Sequence, residues 1–180
     1  MRSFLSLLAV LIPTHTLFGV VALVSGAFVL LRRKGDTLHR ISGWIYAVSM
    51  LLLCVGSFWI QDSTPFFQGL GPFHVAASVS LVTLLFGLWS VRFSRGSAAS
   101  RAAGHVQSMV WSYVGLVMAT GSHLIEPIGG ALRTLGMGGS GVLIATFLCW
   151  GLPPLVTVLA MKRRGGALED LFARVASRES

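Results

Sequence analysis

Five runs of mostly apolar residues, each about 20 long, are separated by short polar links; they cover residues 13–31, 41–60, 73–91, 105–125 and 142–161. A helix of about 20 residues crosses the roughly 30 Å hydrocarbon core of a bilayer. A membrane β-barrel is built instead from short alternating segments, and these runs do not alternate. The pattern predicts an all-α, polytopic transmembrane helix bundle of five spans over residues 1–161, a four-helix core plus a fifth helix. Beyond it, Leu168, Leu171, Phe172 and Val175 recur at helical spacing within residues 162–180. That tail reads as a basic amphipathic helix at the membrane surface or on a partner.

The first apolar run begins at residue 4, and Arg2 followed by FLSLLAVLI imitates a signal peptide. No small-residue cleavage site follows, so an uncleaved segment is expected, with helix 1 starting at Pro13, where proline suits a first turn. In the link RRKGDTLHR, Gly35 is placed to end helix 1 and Asp36 or Thr37 to cap helix 2. The link at 126–141 has six glycines between Gly129 and Gly141 but no GK[ST] ending, which argues against a phosphate loop. The apolar runs suggest no internal repeat.

The fourth run organises the rest. His105 and His123 stand 18 residues apart, about five helical turns and roughly 27 Å, so both lie on one face near opposite membrane rims. Ser108, Met109, Ser112, Leu116, Ala119 and Thr120 share that face, while Val110, Trp111, Val114, Val117, Met118 and Ile125 lie opposite. Small and polar residues favour close helix contact, so the first face is expected against protein and the second against lipid.

Composition sharpens the class. The chain is 54% hydrophobic and only 11% charged, well below the roughly 25% charged residues of soluble domains. Of its 14 Lys and Arg residues, all but Arg2 and Arg133 fall on one side of the five-span arrangement. The positive-inside rule then puts the N-terminus outside and the C-terminus in the cytoplasm. The net charge of +8 is an orientation signal and an attraction to membrane lipids with anionic headgroups at the cytoplasmic face, not a sign of nucleic-acid binding. Cys54 and Cys149 sit singly in apolar runs and read as inert core thiols.

Candidate chemistry rests on the five histidines, all at the rims: His39 and His105 on the cytoplasmic side, His15, His74 and His123 on the outer side. Imidazole is a standard axial ligand of haem, and Arg40 and Arg101 are placed to pair with haem propionates. This reading makes the protein a small redox carrier with haem b, or otherwise with copper, serving a membrane redox partner or quinone; zinc is the other metal the histidines suit, without redox chemistry. A second reading gives His15, His74 and His123 a metal ion, with Glu126 as carboxylate or base, and hence a metal-dependent membrane enzyme. His105 and Met109, at i and i+4, can also meet one soft metal. The plain alternative is that rim histidines bind helix ends or water and the protein is a non-catalytic subunit or lipid-contacting scaffold.

The stretches His15 to Gly19, Arg33-Lys34-Gly35 to His39-Arg40 to Gly43, and His105-Met109-Ser112-Tyr113 carry a resemblance. Over about residues 14–125 the chain resembles the domain-of-unknown-function 2306 family of bacterial membrane proteins, with helix 5 and the tail outside the match. The resemblance implies a multi-pass protein of the bacterial inner membrane and assigns no activity.

Overall fold

The computed structural model describes residues 2–32, 34–60 and 71–163, and the side chains within these from Leu11 onward except that of Pro72. Nearly all of the expected tail, and most of the outer link at 61–72, lie outside the described residues. Within them the fold is helical: α1 (Arg2–Leu31), α2 (Thr37–Ser57), α3 (Pro72–Arg92), α4 (Ala98–Leu132) and α5 (Ser140–Arg163). The chain forms two compact units, residues 1–84 and 85–180.

Four of these helices are long and apolar enough to cross a membrane: Leu11–Leu31, Thr37–Ser57, Phe73–Arg92 and Ser140–Arg163. The fifth expected span, α4, is not among them although it has 35 residues. Its length is ample, so what it lacks is apolarity: His105, Gln107, Ser108, Ser112, Ser122, His123 and Glu126 all lie along it.

In the first unit α1 and α2 pack together around Ala22, Tyr46, Ala47, Met50 and Cys54. Helix α1 corrects the expected start, because it begins at Arg2 and carries Pro13 inside. A proline removes one backbone donor. Membrane helices tolerate it where hydroxyl groups join the backbone bonding, and here Thr14 and Thr16 donate to the carbonyls of Leu11 and Ile12. Between α1 and α2, Gly35 takes φ 88°, the left-handed conformation that glycine adopts without strain. Asp36 is the N-cap: its Oδ1 accepts from the His39 N–H at 2.7 Å, and its Oδ2 faces Arg32 Nε at 3.3 Å. Lys34 Nζ closes the other side of the turn by donating to the carbonyls of Val29 and Leu30 at the end of α1.

The His39 N–H holds the Asp36 carboxyl below its ordinary range, with Arg32 adding to the effect against some desolvation. A depressed carboxylate contributes stability above its unfolded pKa and loses it as pH falls through the folded value. Asp36→Ala is therefore expected to lower the melting temperature at neutral pH and to flatten its decline in acid. Asp36→Asn should keep most of the cap, because the amide oxygen still accepts. Thermal melts in detergent between pH 3 and 7 check both.

The second unit is built on α4. From Arg101 to Ser122 only Gln107 is freely exposed, and Ser112 is fully buried. This corrects the expected lipid face at one position: Val114 is 6% exposed and buried as Leu116 and Ser112 are, while Val110, Trp111, Val117, Met118 and Ile125 are half-buried. After Leu132 the chain turns through Arg133–Met137, with Gly136 at φ 86° and Gly138 at φ 53°, and enters α5 at Ser140. Helix α5 widens into a π-type turn at Phe147–Gly151 that carries buried Cys149, then continues to Arg163.

Candidate functional site

In the second unit the end of α3 meets the start of α4 at Gly87. Gly87 has no side chain, so α4 comes close: a Cβ on Gly87 would sit 2.9 Å from Met109 Sδ and 3.2 Å from Ser108 Cβ. One turn along, Gly104 lies against Ser90 in the same manner. The close approach brings the His105 ring to the α3 backbone, and His105 Nδ1 stands 2.9 Å from the Gly87 carbonyl oxygen. The same oxygen accepts from Ser90 Oγ at 2.8 Å.

A carbonyl can only accept, so His105 Nδ1 is the protonated nitrogen, and in the neutral ring the lone pair is on Nε2. This is how metal-binding histidines are commonly oriented, with one nitrogen anchored by a backbone carbonyl and the other presented as ligand. Met109, one turn on, shares the Gly87 contact, so imidazole and thioether are gathered at one point of α3.

His74 has the opposite arrangement. It is 4% exposed, and its Nδ1 accepts from the Gly71 N–H at 3.1 Å while the ring lies 5.8 Å from that of Phe58. The proton of its neutral ring is thus on Nε2, and the side chain serves as a cap for the start of α3. His15 lies against α2, where a Cβ on Gly56 would stand 3.7 Å from its Nδ1. His39 lies half-buried in the first turn of α2, its backbone N–H held by Asp36. His123 is exposed on α4.

His39 belongs to the first unit and His105 to the second. Among the described residues, no three His, Cys, Asp or Glu side chains gather into a group able to hold a metal ion. Glu126, considered as a carboxylate ligand or base, is 82% exposed and paired with Arg133 at 2.9 Å. Arg40 and Arg101 each turn back on their own loop, donating to the carbonyls of Gly35 (3.4 Å) and Gly96 (3.3 Å).

A second polar contact joins α4 to α5: Trp150 Nε1 donates to Ser122 Oγ at 2.7 Å, beside the approach of Gly121 to Cys149. Sequence reasoning singled out neither this pair nor Gly87 and Ser90. The signal for Gly87 was its place three residues before a serine inside an apolar run. Trp150 had none, because a tryptophan in an apolar run is by default lipid-facing or interfacial.

No curated protein and no solved structure matches the chain. A family model described as "Predicted membrane protein (DUF2306)" matches residues 12–160, so the likeness continues beyond residue 125 and takes in most of α5. With a match over most of its length and apolar helices of spanning length within it, the chain belongs to the DUF2306 family of membrane proteins.

Proposed function

We propose that this protein is a small multi-pass inner-membrane redox protein that offers the His105 imidazole to haem b or another metal. The observation carrying this reading is the 2.9 Å contact of His105 Nδ1 with the Gly87 carbonyl, which leaves the lone pair of the neutral ring on Nε2. The polar residues of α4 support it: Ser108 and Ser112 are buried and His105 is half-buried, and polar groups kept inside a membrane protein commonly mark its function. A bound haem would supply one-electron chemistry, and a copper ion would do the same with Met109 nearby as a soft donor. The chain's own part is to fix the imidazole tautomer and shield it from water. A reduced-minus-oxidised spectrum with metal analysis of the purified protein is the test. An absorbing or metal-bearing preparation is expected, and a colourless, metal-free one rejects the reading.

The second reading is a non-catalytic membrane subunit or lipid-contacting scaffold. What favours it is the outward surface of the four apolar helices, on which Val24, Trp44, Val82 and Leu143 are each 65–72% exposed. In either reading α4 is a fifth span that keeps Ser108 and Ser112 buried, with the N-terminus outside and the C-terminus cytoplasmic, as the distribution of Lys and Arg favours. Reporter fusions after Arg33, Ser97 and Arg164 should then report cytoplasm, and one after Gly130 the outside. A cytoplasmic signal after Gly130 rejects this topology.

A further inference from the structure

The loops before α2 and α4 share a pattern. Lys34-Gly35-Asp36, Arg40 and Gly43 in the first correspond to Arg95-Gly96-Ser97, Arg101 and Gly104 in the second, each pair 61 residues apart. At the same separation upstream, Gly26 in α1 corresponds to Gly87 in α3, and both are buried. The starts of the preceding spans match with a two-residue shift, as Pro13-Thr14-His15 and Pro72-Phe73-His74.

The local structure matches independently of residue identity. The N-cap side chain accepts from the backbone N–H three residues on in both loops, Asp36 from His39 (2.7 Å) and Ser97 from Ser100 (3.2 Å). Four residues after each cap an arginine returns to the carbonyl of the glycine before the cap, at 3.4 Å for Arg40 and 3.3 Å for Arg101. An N-cap bond alone is common to helices. The guanidinium closing the turn onto that glycine is not required by capping, and it occurs in both loops.

We infer that the chain contains one helix–loop–helix unit in tandem, α1–α2 and α3–α4, whose two arginine-closed loops are interchangeable. Repeats of this kind are a frequent way to build membrane proteins. The repeat is hidden in the sequence because the apolar positions between its polar markers are free to vary. Its copies differ at the residue after the last glycine: Trp44, an exposed indole, follows Gly43, whereas His105 follows Gly104. The second copy is thus the one with an imidazole at this position, on a less apolar helix. The inference does not depend on a cofactor.

Loop exchange tests it. Residues 95–104 are replaced by the ten residues of 34–43, and a control carries the same insert with its arginine moved one position later. The exchanged protein should insert in the membrane and melt close to the parent, with the control roughly 2–4 °C or more below it, the effect of losing one cap-sized interaction. Melting no better than the control overturns the inference. A second measurement holds even if the exchange fails to fold. Cysteines introduced singly as Thr37→Cys and Ala98→Cys occupy equivalent positions and should react with a membrane-impermeant maleimide from the same side. Labelling from opposite sides also overturns it.

Discussion

Gly141→Val should separate α5 from α4 and lower the melting temperature more than any other single glycine replacement in the second unit. A Cβ at Gly141 would stand 2.9 Å from Leu132 Cβ, 3.1 Å from the Gly129 oxygen and 3.3 Å from the Arg133 nitrogen. Two of those three atoms are backbone and the third is fixed to it, so no flexible side-chain end can yield. Overpacking a close contact costs about 1–3 kcal/mol, and valine, with two further methyl groups, should reach at least the upper end. Gly130 supplies the control, because a Cβ there meets nothing within 4 Å and the residue lies inside α4. Gly130→Ala should be neutral or slightly stabilising, by up to about 1 kcal/mol of helix propensity. Thermal melts of both in the same detergent decide the matter, and equal melting temperatures would show that the α4–α5 approach is not close.

His105→Ala should remove most of the bound haem or metal, whereas His74→Ala should leave it in place. The two histidines are told apart by what their Nδ1 atoms face. His105 meets a carbonyl and keeps Nε2 as an acceptor, while His74 meets the Gly71 N–H and keeps its proton on Nε2. Loss of an outer partner of a ligand commonly costs 10–100-fold in affinity, so loss of the ligand itself should cost at least about tenfold. His74→Ala should instead lower stability, because it leaves the Gly71 N–H without its imidazole acceptor in a buried place; such a loss is worth about 1–3 kcal/mol. Cofactor per protein and melting temperature are measured on each folded variant. Equal cofactor content in parent and His105→Ala would sink the ligand role of His105. A parent with neither colour nor metal would leave the scaffold reading.

The packing of α4 shows where helical periodicity stops being informative. A face with Ser108, Ser112 and Leu116 was expected against protein, and all three are buried. The opposite face was expected in lipid, yet Val114 is nearly as buried as Leu116. Valine is as suitable for lipid as for a protein interior, so its identity carries no information about its neighbours. The relation between Arg101 and haem propionates meets the same limit. A guanidinium at a helix start reads as an anion partner, but here Arg101 donates to the Gly96 carbonyl one turn back.

What the amino-acid sequence determined alone is the helical class, the apolar runs, a cap at Asp36 or Thr37 and the turn at Gly35. Each follows from forces acting within a few residues: backbone bonding in an apolar solvent, a carboxylate beside free N–H groups, and the freedom of glycine at positive φ. Tertiary structure decided the remainder. It set which nitrogen of His105 and of His74 carries the proton, because that depends on whether a carbonyl from α3 or an N–H of the adjacent turn lies opposite. It also decided that α1 continues through Pro13 and that Val114, opposite Ser112 on α4, is buried as well. Those outcomes depend on which helices come within contact distance, and residues far apart in the chain meet there without leaving a mark in the local pattern of either.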